Sequence, residues 1–294
     1  MNPVLAKLGY SAHDRVVIVH ADDMGMCHAA TAVLDTLFGT GAVTSASIMM
    51  PCAWARTAVA WSVAHPDADI GVHLTLTSEW AQYRWRPLAA HAATDALVDA
   101  DGYMPRSVAE VFGAADRGAI EREIHAQYAL ARQWGLVPTH LDSHMGTMFG
   151  DGIVPHYVAL GATAATPVFL LDQSAADLAR LGFDAATQAY QLAVMAQLRA
   201  QGVPLCDHIR ALDLGNAAAG LDATKQLFNE LPAGLTYFIH HPALDTPELR
   251  AIGPDWQARV RDYTVMTSPE LRAYVQQQGI HLIGWRDIQR AVYA

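Results

Sequence analysis

Two rhythms of apolar residues alternate along the chain. The runs VVIV (16–19), TSASIMM (44–50), IGVHLTL (70–76) and LTYFIH (235–240) are short and rich in β-branched or aromatic residues, which predicts strands. Between them, Val33, Leu34, Leu37 and Phe38 recur at helical spacing, as do Trp54, Ala58, Trp61 and His65, and then Ile120, Ile124, Tyr128, Ala131 and Trp134. Pro66 closes the second of these helices, and Gly135 is placed to cap the third. Fainter strand-like runs follow at THLDS (139–143), PVFLL (167–171), CDHIRAL (206–212) and HLIGW (281–285). Ser268-Pro269-Glu270 has the polar residue, first-turn proline and early acid of a helix start.

Strand and helix alternate through seven or eight units, which implies a parallel sheet covered by helices, and that number favours closure. The expected fold class is α/β: a (β/α)-barrel, TIM-like and either irregular or seven-stranded. It would form a single domain over 15–294, preceded by an N-terminal extension, 1–14. One stretch breaks the rhythm. Residues 77–106 show weak periodicity, and a loop of that length is either functional or disordered. Trp80, Tyr83 and Trp85, interleaved with Arg84 and Arg86, argue for order.

Composition narrows the function classes. Hydrophobic residues make up 52% of the 294 and charged residues 16%, which suits a filled globular interior and not a disordered chain. The formal charge of -10 leaves no basic stripe to neutralise phosphates, so no nucleic-acid partner is expected. The opening MNPVLAKLGYSAHDRVV lacks the apolar stretch of a secretory signal, and no run reaches the roughly 18 apolar residues of a membrane span. A cytoplasmic protein with no membrane contact is the expectation. Cys27, Cys52 and Cys206 are widely spaced and odd in number, which predicts buried free thiols.

Chemistry in parallel α/β folds gathers at the C-terminal strand ends. The first strand delivers His20, Asp22 and Asp23; the third carries His73 inside an apolar run. The fourth brings His140, Asp142 and His144, which alternation would set on one face, and the strand near 240 ends in His240-His241-Pro242. Each piece also has a plain reading: a hydrogen-bonded core histidine, an Asp pair in a turn, a strand stopped by proline. Their convergence on one rim favours a metal. Adjacent carboxylates near a core are costly unless a cation offsets them. Aspartate and neutral histidine at three positions leave coordination sites open, where a divalent ion lowers the pKa of water and polarises a carbonyl. One aspartate could then be a ligand and the other a general base.

The segments VHADDMG, AVTSASIMM, GVHLTLTSEW, PTHLDSH and HHPALD, in that order and followed by TSPEL (267–271), resemble the YdjC-like carbohydrate deacetylase family, also called the ChbG/HpnK type. The resemblance runs from Val16 to Asp287. It implies a barrel-type fold and metal-dependent hydrolysis of an N-acetyl group on a carbohydrate. By the same resemblance Asp23, His73 and His144 would hold one divalent ion, Mg2+ or Zn2+. Asp22 would be the base, although the sequence does not fix which aspartate is base and which is ligand. His241 would protonate the leaving amine or anchor the acetyl group. The resemblance leaves a homodimer open.

Three departures stand out. The family's N-A-D-D-F-G has His20 and Met24 here, which suggests an altered entrance. Met145, Gly146 and Thr147 replace further histidines, with His156 a candidate substitute, and the loop from Trp80 to Arg86 is distinctive. Trp80 and Trp85 could stack on sugar rings or anchor their own loop. Arg84 and Arg261 could meet an anionic substrate group or form internal ion pairs. His140 and Asp142 are also expected at the substrate. Alternatives are a metal-dependent ester or phosphoester hydrolase, or a carbohydrate-binding member of the fold without catalysis.

Overall fold

In the computed structural model, which describes residues 2–40, 42–90, 95–113, 116–180 and 184–293, seven parallel strands form one curved sheet. They are β1 (Arg15–Met24), β2 (Ser45–Ile48), β3 (Ile70–Leu74), β4 (Leu141–Ser143), β5 (His208–Ala211), β6 (Gly234–His240) and β7 (Ile280–Leu282). The order is β4-β3-β2-β1-β6-β5, with β7 paired to the start of β1. The run 167–171, expected as a strand, is only extended chain. Its parallel bridges Leu141–Val168 and Leu171–Cys206 link the β4 side of the sheet to the segment entering β5. The expected (β/α)-barrel is therefore present in irregular form, with this segment as its thinnest stave.

Alternation along β1 explains the two cores. Val16 and Ile18 turn inward to Phe169, Leu235, Tyr237, Ile283 and Trp285, while Val17, Val19 and Ala21 turn outward to the helices. Both faces are apolar because both are covered, and each fully buried aliphatic side chain adds about 1.5–3 kcal/mol over exposure. The short helix Pro3–Lys7 lies within the segment read as an extension. It buries Val4 and Leu5 in the inward cluster and packs against the last helix, Trp285–Tyr293.

The predicted helices appear as Leu34–Thr40, Ala55–Ala64, Arg117–Gln133 and Pro269–Gln277. Within the long loop, residues 91–94 lie outside those described; the rest carries one short 3-10 turn, Asp95–Leu97. Two side chains of the helix Arg117–Gln133 fasten its start. Gln127 donates to Thr75 O (2.6 Å) and accepts from Thr75 N (2.9 Å). Buried Glu123 accepts from Leu88 N and Ala89 N at 3.1 and 2.8 Å. All three cysteines are buried and free. Among the described residues no helix is long and apolar enough to cross a membrane.

Candidate metal centre

The Asp-Asp pair lies within β1, and a local irregularity aims it. The register with β2 shifts between Ala21 and Met24, and Asp23 has a left-handed backbone, φ 66°. Such a conformation costs a non-glycine residue on the order of 1–3 kcal/mol and persists only where neighbours impose it. Gly25 follows at φ 80°, where an added Cβ would stand 2.9 Å from Ala55 Cα. The chain can turn there only without a side chain, and the turn leaves Asp22 and Asp23 both buried at the strand end.

Asp23, His73 and His144 present donor atoms that all lie within 4.8 Å of one another. Asp23 Oδ1 is 3.4 Å from His73 Nε2 and 3.1 Å from His144 Nδ1. Each of the three has its other polar atom occupied from behind. Arg259 reaches Asp23 Oδ2 at 2.8 Å, Asp142 Oδ1 meets His73 Nδ1 at 2.8 Å, and Glu79 Oε1 meets His144 Nε2 at 3.1 Å. A carboxylate on one ring nitrogen fixes the tautomer and turns the lone pair of the other outward, the usual backing of a metal-ligating histidine. Here this occurs twice, and the freed nitrogens converge on one carboxylate oxygen. The donor set and its backing fit a single divalent cation.

Two other His/Asp groupings, His20/His140/Asp142 and Asp22/His73/Asp142, are equally compact but fit a cation poorly, because Asp142 is already saturated. Its Oδ2 accepts from Ser47 Oγ (2.8 Å) and Tyr237 Oη (2.9 Å) and lies 2.8 Å from His20 Nε2; Oδ1 faces His73.

The electrostatics follow from burial and pairing. Burial works to raise the Asp23 carboxyl, but Arg259, His144 and His73 overcome it and hold the group well below its usual range. Asp142 is likewise held low against burial by His73 and His20. Burial would lower the His144 pKa, yet Glu79 and Asp23 raise it to about 9. Asp142 and Asp22 raise His73 against burial in the same way. Burial pushes His241 down, with Asp23 and Asp22 opposing. Its Nε2 is 3.7 Å from Asp22 Oδ2, and its backbone N–H donates to Asp262 Oδ2 at 2.8 Å.

The remaining expected site residues are placed differently. Trp85 is buried, donates through Nε1 to Thr77 O (2.8 Å) and lies edge-on to His144, ring centroids 6.3 Å apart. Trp80 packs edge to face with it and takes the Arg259 guanidinium over its ring at 5.6 Å. Both tryptophans anchor the loop. Where substrate contact was expected of Arg84, the structure gives its guanidinium Ser78 Oγ, Asp99 Oδ2 and Met104 O. Arg261 binds Asp262 and the carbonyls of Asp213, Asn216 and Ala219.

His140 is fully buried, stacked on Trp285, and Asp142 is the brace described above. His20 does not alter an entrance: alternation sends it inward, fully buried, with Nδ1 2.6 Å from Ser45 Oγ. His156 faces Glu121 at 3.3 Å. Sequence reasoning missed Glu79, Arg259, Ser47 and Tyr237. Only Glu79 carried a signal, as an acid just beyond a histidine-bearing strand. Arg259 is recognisable only through Asp255, four residues earlier beside the helix Trp256–Met266, which it meets at 2.8 Å.

Residues 16–277 match the family described as YdjC-like protein. A carbohydrate deacetylase of Thermus thermophilus is 33% identical over 295 residues, covering 99% of each chain. A carbohydrate deacetylase of Geobacillus stearothermophilus is 29% identical over 279 residues, 94% of this chain and 99% of that one. A crystal structure from Enterococcus faecalis V583, described as a putative cellobiose-phosphate cleavage protein, superposes with a TM-score of 0.76 at 22% identity, covering 92% of this chain and 98% of the other; it shares the fold. With the family's match extending over most of its length, the chain belongs to the YdjC-like protein family.

Proposed function

We propose that the protein is a metal-dependent carbohydrate deacetylase that hydrolyses the acetamide of an N-acetylated sugar to acetate and a free amine. The observation that carries this reading is the convergence of Asp23 Oδ1, His73 Nε2 and His144 Nδ1, each backed by an outer partner, beside the carboxylate of Asp22. The similarity to carbohydrate deacetylases of Thermus thermophilus and Geobacillus stearothermophilus supports it. Asp23, His73 and His144 would hold the ion. When bound it supplies Lewis-acid polarisation of the acetyl carbonyl and eases ionisation of water.

The chain's own groups supply the proton transfers. Asp22 takes a proton from the attacking water as the C–O bond forms. The proton that Asp22 takes passes to His241, 3.7 Å from the same carboxylate, which delivers it to the nitrogen as the C–N bond breaks. Arg259 keeps Asp23 ionised and turned toward the two histidines. The internal bonding of Arg84 and Arg261 favours this amide chemistry over the phosphoester alternative, which would draw on them for anion binding.

The test is acetate release from N-acetylated oligosaccharides with metal analysis of the same samples. His73→Ala and His144→Ala should lose both bound ion and turnover. Full turnover by the metal-free double variant would refute the proposal.

A further inference from the structure

The two oxygens of Asp22 face different groups. Oδ2 looks forward, 3.8 Å from His73 Nε2 and 3.7 Å from His241 Nε2. Oδ1 looks back to His20 Nε2 at 3.2 Å, and among the described residues it receives no well-directed hydrogen bond. The His20 ring is locked. Ser45, its register partner on β2, holds Nδ1 at 2.6 Å, and Ser47 Oγ and Asp142 Oδ2 stand 3.0 and 2.8 Å from Nε2. Tyr237 and His140 flank the ring at centroid distances of 4.9 and 5.0 Å.

We infer that His20 is a positioning residue for the reaction: its locked Nε2 edge, 3.2 Å behind Oδ1, backs Asp22 by close polar contact, so that Oδ2 is the oxygen that accepts the proton. The inference rests on the deacetylase reading. It also separates His20 from the ligand set. Asp142 keeps Ser47 and Tyr237 on Oδ2 and His73 on Oδ1 without it, so the loss should fall on Asp22 and not on the ion.

Two variants test this. His20→Phe keeps a ring between Tyr237 and His140 and removes both nitrogens, with His20→Leu serving the same arm if phenylalanine does not fold. His20→Gln keeps a donor that reaches the Nε2 position and removes the ring. His20→Phe should lower kcat about 10²-fold, as expected for a misplaced reacting group, with KM and bound metal unchanged. His20→Gln should recover roughly tenfold or more of that loss. Wild-type kcat in His20→Phe, loss of its metal, or a glutamine variant no better than phenylalanine would overturn the inference. A wild type that releases no acetate would overturn the deacetylase reading as well; an active wild type with an equally active His20→Phe overturns this inference alone.

Discussion

Glu79→Gln isolates the most informative contact of the site. The substitution keeps shape and removes one charge from a side chain that meets His144 Nε2 at 3.1 and 3.3 Å. A carboxylate can only accept there, so the proton stays on Nε2 and Nδ1 is left as a donor toward the ion. An amide can also present its NH2, which allows the other tautomer, with Nδ1–H facing Asp23. A charge-assisted bond to a buried group is worth about 1.5–3 kcal/mol. Loss of a ligand's outer partner generally weakens metal binding about 10–100-fold, or about 1.4–2.8 kcal/mol. The two routes agree.

Competition with a metallochromic chelator on stripped protein should therefore show the dissociation constant rising about 10–100-fold. A change below about twofold would mean that Glu79 does not govern His144, and the backing argument would fail. A second readout uses the stripped protein alone. His144 is raised from 6.5 to about 9 by Glu79 and Asp23, so its contribution to stability is full below pH 6.5 and is lost as pH rises through about 9. Thermal melts of the wild type across that window should fall with pH, and Glu79→Gln should flatten the fall.

Further outcomes follow from the same geometry. Asp22→Asn should retain the ion and lose about 10²–10⁴-fold in kcat, the usual worth of a general base, checked by metal analysis and initial rates. Arg259→Met should destabilise the metal-free protein by about 3–5 kcal/mol because it strands buried Asp23 beside no fixed cation, with a Tm lower by roughly 5–10 °C in calorimetry; part of that loss should return when metal is added. His144, raised to about 9 in the metal-free site, must give up a proton to ligate, so binding one ion at neutral pH should release at least about one proton. Calorimetric titrations in buffers of different ionisation enthalpy measure that number.

Much of the architecture was legible because the periodicities are local. Val16–Val19 could only be a buried strand, and Ile120 to Trp134 only a one-sided helix. The convergence of His73, Asp23 and His144 was legible because strand ends of a parallel barrel share a rim. What stayed hidden depends on contacts across the sequence. PVFLL was strong enough to look like a strand, but it makes only two isolated bridges, because the barrel closes there through an extended segment. The loop aromatics could not be assigned from composition, since a tryptophan that stacks on a sugar and one that buries its own loop read alike. Arg259 acts across 236 residues on Asp23, a pairing with no local signature.

The adjacent aspartates are tolerable because cationic groups lie close enough to offset them. Asp22, Asp23, Glu79 and Asp142 form a buried or nearly buried group of four carboxylates, and one fixed cation, Arg259, lies against Asp23. Without metal the balance falls to histidines: Asp142 and Asp22 raise His20 and His73 against burial, and Glu79 and Asp23 raise His144 to about 9. A divalent ion held by Asp23, His73 and His144 would displace histidine protons and take over the offsetting of the carboxylates. His20 stands outside the proposed ligand set, facing Asp142 and the back of Asp22. On that reading the carboxylates have partners to offset their burial both before and after an ion binds. The same need for offsetting charge accounts for the partner behind each proposed ligand: Arg259 at Asp23, Asp142 at His73 and Glu79 at His144.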